Sequence, residues 1–355
     1  MLERPIKEII DEALEVGVFG ADFTFRKGQR ETIETIIQTY QEDPEASVVI
    51  DAPTGTGKSI IAMWCSWIFK EMGKRGYLVT SDLSLQDQYE SDLKRLRLRW
   101  PSIKGIDNYD CHVNGLKFSL GECRMRNMGY EQALAKLDCA QTCEYIQLRK
   151  RAIDSPVSVL NYAFWLLQRN YVAPKMESEE RPVPFKKRDY VFFDEAHKID
   201  EIVQNHFSPR VDNFLPELLN NQAKFLVKSG LPSPNISSAY LNDLIGDLKH
   251  SQEREILYAK LIELKKVLGG FNASKGAAEK SARQIFGSSA DRQLSPTWKT
   301  AFNRFDRIKD IHCKIEDYID LINITGIDSM VWDQREDEAK FMCTEEATMI
   351  QKYLH

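Results

Sequence analysis

The residues best suited to chemistry fall into three groups. The first is Ala52-Pro-Thr-Gly-Thr-Gly-Lys-Ser59, a glycine-rich stretch between an apolar run and a helical pattern. Gly55 and Gly57 let the backbone curl so that N–H groups, with those of Thr54 and Thr56, point inward at phosphate oxygens. Lys58 supplies a point charge for the outer phosphates, Ser59 a hydroxyl for Mg²⁺, and the helix that follows its positive end. Ala52 stands where the usual pattern has glycine. The second group is Phe192-Phe-Asp-Glu-Ala-His197, two carboxylates at the end of an apolar strand pattern. Strand carboxyl ends are where open α/β sheets bind ligands. Asp194 is placed to hold Mg²⁺ and Glu195 to orient and deprotonate water, the positioning that phosphoryl transfer asks for. His197 reads equally as a link to nucleotide state or as a structural histidine. The third group is Cys111, Cys123, Cys139 and Cys143, spaced C-x11-C-x15-C-x3-C. Four thiolates suit a [4Fe–4S] cluster or tetrahedral zinc, and spacing alone does not choose, although the first pair lies too far apart for a usual zinc knuckle.

These groups need a scaffold. Four apolar runs, Ser47–Ala52, Tyr77–Ser81, Pro156–Leu160 and Tyr190–Asp194, read as buried strands with helical patterns between them. Helices are expected over residues 1–20, Gln29–Tyr40 and Ser59–Met72. The alternation predicts an α/β fold, a parallel sheet with helices on both faces. Residues 100–155 interrupt that rhythm with the cysteines, and 200–330 read as helical. Gly269–Ser295, rich in Gly, Ser and Ala, reads as a loop or mobile tip, and Ala173–Asp189, with three prolines, as a surface linker.

Composition sets limits. The chain has 355 residues, 43% hydrophobic and 28% charged, which excludes a disordered chain. Its 48 basic and 53 acidic residues leave −5, no bulk polycation. No apolar run is long enough for a membrane span, and the N-terminus lacks a signal core, so a cytoplasmic location is expected, nucleoid-associated or in a host cytoplasm if viral. Seven cysteines in such a chain argue against a disulfide framework; Cys65, Cys313 and Cys343 are isolated and read as core residues. From Leu93 to Arg126 there are eight basic and three acidic residues, a local +5 that includes Lys94, Arg97, Arg124 and Arg126 beside Trp100. A basic stretch with an aromatic suits a single-strand track, or simply a solvated helix face.

Taken together the phosphate loop and Asp194-Glu-Ala-His197 resemble the DEAH-box helicases of superfamily two, more narrowly the XPD/DinG iron–sulfur helicases. Phe25-Arg-Lys-Gly-Gln29 sits where that family has its adenine-reading glutamine motif, which implies Arg26 and Gln29 at the nucleotide. Val79–Gln88 resembles motif Ia and Val159–Leu166 the Asn-Tyr segment before motif II, which implies Thr80 and Asn161 near nucleic acid. The match runs from about residue 23 to 200. It implies a RecA-like motor domain (1–100, 156–200 and 330–355), a [4Fe–4S] domain on the four cysteines (101–155) and a helical arch-like domain (201–329). ATP and Mg²⁺ are the implied cofactors, and single-stranded DNA or a single-strand/duplex junction the implied partner. Unwinding from five-prime to three-prime is implied by analogy alone. The family's Ser-Ala-Thr and arginine motifs do not occur in the 158 residues after His197. The expectation is therefore a first motor module needing a second in cis or in trans. By itself it should bind nucleotide, hold single strands weakly and hydrolyse near background. The competing reading is a nucleotide-dependent single-strand-binding module that does not hydrolyse or unwind on its own; a zinc-stabilised phosphate-loop regulator without DNA activity is a third.

Overall fold

The structure, a computed structural model, describes residues 5–53, 55–115, 117–121, 123, 130–178, 180–286 and 295–344. It divides into two compact units, residues 1–199 and 200–355. Thr54, Arg124 and Arg126 among the expected site residues, and 345–355 of the expected motor domain, lie outside the described residues.

In the first unit the order is α1 (Ile6–Glu15), α2 (Gln29–Glu42), α3 (Lys58–Glu71), β1 (Gly76–Thr80), α4 (Leu83–Arg95), α5 (Tyr130–Lys136), α6 (Glu144–Asp154), β2 (Val157–Asn161), α7 (Tyr162–Leu167), α8 (Ala173–Ser178) and β3 (Tyr190–Phe193). Among the described residues the sheet is parallel, ordered β2-β1-β3, with Gly76 opposite both Val157 and Tyr190. β1 and β2 are buried along their whole length, as their continuous apolar runs require. Ile33, Ile37, Trp64, Ile68 and Leu78 form the centre of a core that joins α2 and α3 to the sheet. Pro101–Ile103 runs along the outer side of β2: Val159 N–H donates to the Pro101 carbonyl at 2.9 Å and Ile103 N–H to the Val159 carbonyl at 3.0 Å.

Two expectations fail here. Ser47–Ala52 is not a sheet strand: Val49 is 90% exposed and Val48 and Ile50 are also exposed. A short apolar run is consistent with a strand without specifying one. Both sides of β1 are taken by β2 and β3, while the end of the run is held by its own loop, where Lys58 Nζ donates to the Ala52 carbonyl at 3.0 Å. Nor is 173–189 only a surface linker. Its start is helical, and Phe185 is buried, edge-on to Phe164 at 5.2 Å.

The second unit contains α9 (Ile199–Phe207, whose first residue closes the first unit), β4 (Arg210–Asp212), α10 (Leu215–Lys228), α11 (Ser238–His250), α12 (Arg254–Phe286), α13 (Pro296–Thr325), β5 (Met330–Gln334) and β6 (Glu338–Cys343). Helices α12 and α13 run antiparallel, tied by Lys265–Glu316 at 2.9 Å and Lys275–Asp306 at 2.6 Å. The loop expected over 269–295 is helix as far as Phe286. Its glycines serve packing instead: a Cβ on Gly269 would lie 3.4 Å from the His312 ring, and one on Gly270 3.3 Å from Pro234. Residues 330–343, grouped with the motor domain by the resemblance, pair with β4 as an antiparallel sheet ordered β4-β6-β5 within this unit.

Candidate active site

The phosphate loop is shaped by main-chain geometry and clamped from the side. Gly55 and Gly57 have φ of +82° and +80°, the left-handed region that glycine enters without strain. A Cβ on Gly57 would also lie 2.5 Å from Gln29 Nε2. Gln29, at 4% exposure, faces the loop because Gly28, at φ +83°, turns the chain into α2. Its Oε1 accepts from Arg26 N–H at 2.8 Å, and its Nε2 donates to the Thr56 carbonyl at 2.8 Å. The Arg26 guanidinium donates to the Gly55 carbonyl. The Thr56 hydroxyl donates to the Pro53 carbonyl at 2.8 Å. Helix α3 starts at Lys58, so Lys58 and Ser59 occupy its first turn, where helix N–H groups have no partner inside the helix.

The acidic strand end faces this loop. Asp194 N–H donates to the Val79 carbonyl at 2.8 Å, which fixes Asp194 just beyond β3. Its Oδ1 accepts from Glu195 N–H at 3.0 Å. Burial pushes the Asp194 carboxyl above the usual aspartate range; the Tyr89 and Glu195 hydrogen bonds and the nearby Lys58 ammonium oppose that rise. The charge of Lys58 is thus felt at Asp194, across 136 positions of sequence. Glu195 sits at φ +56°, ψ 44°, a left-handed conformation that costs a non-glycine residue about 1–2 kcal/mol. Such strain persists where surrounding structure over-determines it. Its Oε2 lies 3.4 Å from His197 Nδ1, and the His197 side chain is mostly exposed.

The four cysteines are gathered only in part. Cys111, Cys123 and Cys143 are buried and Cys139 is half-buried. Burial raises the Cys143 thiol, and Cys111 lies close enough to add to that rise. His112 Nε2 and the Thr142 hydroxyl, 3.4 Å apart, bring the two neighbouring turns together. Among the described residues no three His, Cys, Asp or Glu side chains converge as a metal site.

The expected nucleic-acid residues separate into two sets. Lys94 and Arg97 are exposed, and Trp100 is half-buried against the core. Thr80 and Asn161 are buried, with their polar atoms committed inward. Asn161 Oδ1 accepts from Phe164 N–H at 2.9 Å and caps α7, while its Nδ2 donates to Gln86 Oε1 at 3.0 Å. Gln86 in turn donates to Ser102 Oγ at 2.9 Å and to the Ile103 carbonyl at 3.0 Å. This buried network ties α4 to the sheet. Sequence reading missed Gln86 and Tyr89; the signal was two polar side chains three apart on one face of a helix.

A phosphate loop facing a carboxylate pair across a parallel sheet defines the class: a nucleotide-binding α/β protein. The chain belongs to the family described as type III restriction enzyme, res subunit, which it matches over residues 22–218. It is 24% identical over 225 residues to a probable ATP-dependent helicase of Methanocaldococcus jannaschii, a match covering 57% of this chain and 32% of that protein. The chain thus spans about a third of that curated relative's length. A solved structure titled XPD helicase superposes with a TM-score of 0.49 and 15% identity over 93% of this chain and 56% of that one. No helix among the described residues is long and apolar enough to cross a membrane.

Proposed function

We propose that this chain is a helicase-type ATPase module that binds Mg-ATP at the corner formed by Lys58, Asp194 and Glu195 and couples hydrolysis to single-stranded nucleic acid. The observation that carries the reading is the left-handed turn at Gly55 and Gly57 that opens α3 at Lys58, together with two adjacent carboxylates, Asp194 and Glu195, just beyond β3. The family and the curated relative support it. The donor set suits the ion: Mg²⁺ is held by one or two carboxylates together with nucleotide phosphates, and Asp194 with the Ser59 hydroxyl offers hard oxygen ligands of that kind. When bound, Mg²⁺ neutralises charge on the transferring phosphate. Lys58 then contacts the outer phosphates, and the Gly55–Ser59 backbone N–H groups wrap them. Glu195 holds and deprotonates the attacking water. Gln29 spends one N–H and one lone pair on the main chain, and its amide retains one of each for adenine.

The [4Fe–4S] reading of Cys111, Cys123, Cys139 and Cys143 belongs to this proposal, supported by their spacing and by the nearness of Cys111 to Cys143. The XPD/DinG subtype rests on the same residues. The described residues do not form a converged set, so no step of the chemistry runs through a cluster. Lys94 and Arg97 are the exposed part of the proposed strand track, beside the half-buried Trp100.

The test is titration of a fluorescent ATP analogue, followed by strand separation of a tailed duplex with and without a second motor module. Saturable Mg²⁺-dependent binding is expected, with unwinding only when the second module is present. Any hydrolysis should fall about 10²–10⁴-fold in Glu195→Gln, the usual contribution of a positioned base. Nucleotide binding that ignores Mg²⁺, or activity untouched by Glu195→Gln, would overturn the assignment.

A further inference from the structure

The fold assembles a cationic face that the chain does not carry as one run. Residues 74–75, 149–154 and 186–189 hold eight basic and two acidic residues, in a chain whose net charge is −5. Side-chain geometry ties the three stretches together at the start of the parallel sheet. The Arg149 guanidinium of α6 lies over the Phe185 ring, 5.8 Å from its centre. Arg188 donates to the Gly76 carbonyl at 2.8 Å and to the Ala152 carbonyl at 2.9 Å. Arg75 donates to the Ile153 carbonyl at 2.7 Å, and the Tyr77 hydroxyl to the Lys186 carbonyl at 2.9 Å.

These charges have different duties. Arg75 and Arg188 place their guanidinium N–H groups on the last carbonyls of α6, and so cover the helix end whose partial negative charge would repel an anion. Asp189 is taken up by Lys74 Nζ at 3.7 Å and by Arg75 N–H at 2.8 Å. Lys150, Arg151, Lys186 and Lys187 are exposed and, among the described residues, in no ion pair. Crowding of like charges costs free energy that a polyanion would relieve. Among the described residues of these stretches no large apolar side chain is exposed, whereas the centre of a protein interface is apolar and poor in charge. Lysine, the commoner of the exposed cations here, meets phosphate as a point charge, and phosphate contacts carry no base sequence. The face lies by Gly76, and β1 runs from there to Thr80 on the nucleotide side, roughly 13 Å at the usual strand rise.

We infer that Lys150, Arg151, Lys186 and Lys187 form a second contact for the phosphate backbone of nucleic acid, indifferent to base sequence and sharing no residue with the Leu93–Arg126 stretch. The inference rests on the proposed coupling to single strands and adds residues that no motif of the sequence marks.

The experiment follows the anisotropy of a fluorescein-labelled oligodeoxythymidylate titrated with the full chain across a salt series. The quadruple variant Lys150→Ala, Arg151→Ala, Lys186→Ala, Lys187→Ala should bind about 10-fold more weakly at low salt. Its plot of log affinity against log salt should be flatter by about 2, since each phosphate contact on a single strand contributes roughly 0.7. The charge-retaining triple Lys150→Arg, Lys186→Arg, Lys187→Arg should bind as the parent does. Affinity for a fluorescent ADP analogue should stay within about twofold in both, because the face and the phosphate loop are too far apart to couple. A slope unchanged in the alanine variant, or an equal loss in the arginine variant, overturns the assignment. So does a loss confined to polyglutamate, which would give the face to an acidic protein. A parent chain that holds no oligonucleotide at any salt overturns the single-strand reading beneath it as well.

Discussion

The nucleotide corner and the cysteine-rich segment carry motifs of similar clarity in sequence, yet the fold treats them differently. At the corner, Gln29, Lys58 and Asp194 each sit at the end or at the start of an element packed on one core. The hydrogen bonds there are made by the protein itself: Gln29 to the Thr56 carbonyl, Lys58 to the Ala52 carbonyl, Glu195 N–H to Asp194. In the segment from 101 to 155 Cys139 lies in a single 3-10 turn and Cys143 just before α6, and the contacts there include His112 with Thr142 and Gln147 Nε2 with the Ala140 carbonyl at 2.8 Å. The lesson is that a motif on element ends is pre-organised by packing. A motif strung along loops depends on its ligand for organisation, since metal binding and local folding are coupled.

The sharpest way to break that comparison is iron analysis. Protein prepared without oxygen should hold about four iron and four sulfide per chain if the thiols bind a [4Fe–4S] cluster. Cys143→Ser should remove nearly all of it and loosen 101–155, while Cys65→Ser, in the helix core, should leave it in place. Stoichiometric zinc, or iron retained in Cys143→Ser, would contradict the ligand set. The corner should respond without collapse. Lys58→Ala is expected to weaken nucleotide binding by about 1.5–3 kcal/mol, roughly 10- to 100-fold, as charge-assisted contacts do, with melting temperature nearly unchanged. Isothermal titration checks both affinity and stoichiometry, and an unaltered affinity would remove Lys58 from the site.

A smaller effect separates clamp from ligand contact. Gln29→Ala deletes two hydrogen bonds to half-buried main chain and should destabilise the first unit by about 1 kcal/mol. Denaturant unfolding without nucleotide would detect it. A Gln29 that acted only on adenine would leave apo stability alone.

How much of this could be read in advance follows the same divide. The strands at 76–80, 157–161 and 190–193, and the helices at 29–42 and 58–71, were legible because apolar runs and glycine punctuation agree there. The glycine turn ahead of α3 was legible because Gly55 and Gly57 punctuate it, and both take positive φ. Ser47–Ala52 was misread because an apolar run of that length does not identify its own partner. Gly269 and Gly270 were misread because a glycine that permits close helix packing looks the same in sequence as one that ends a helix. Residues 330–343 were grouped with the motor domain by resemblance alone, and their antiparallel pairing with β4 depends on long-range contacts that resemblance does not specify. Thr80 and Asn161 were placed on a binding face by resemblance, whereas burial assigns Asn161 to a helix cap and to the Gln86 network.

The subtlest prediction concerns what the corner does to stability. Burial is the largest influence on Asp194, and it raises the carboxyl pKa above that of the unfolded chain. A group that holds its proton more tightly when folded favours the folded state below its unfolded pKa. That contribution is lost as pH rises through the folded value. At neutral pH the ionised Asp194 is therefore a strain on the fold that the site retains for its chemistry. Asp194→Asn should melt above the parent near pH 7.5 in the absence of divalent cation. The gap should narrow as pH falls toward the ordinary aspartate range, because the folded parent carboxyl takes up its proton first. Saturating Mg²⁺ with nucleotide should reverse the ranking, because a ligand that binds only the folded state stabilises the chain that binds it. Calorimetry from pH 4.5 to 8, with and without Mg-ADP, reads all three. A variant that melts below the parent at every pH would mean that Tyr89 and Lys58 outweigh burial, and that the corner stabilises the fold instead of straining it.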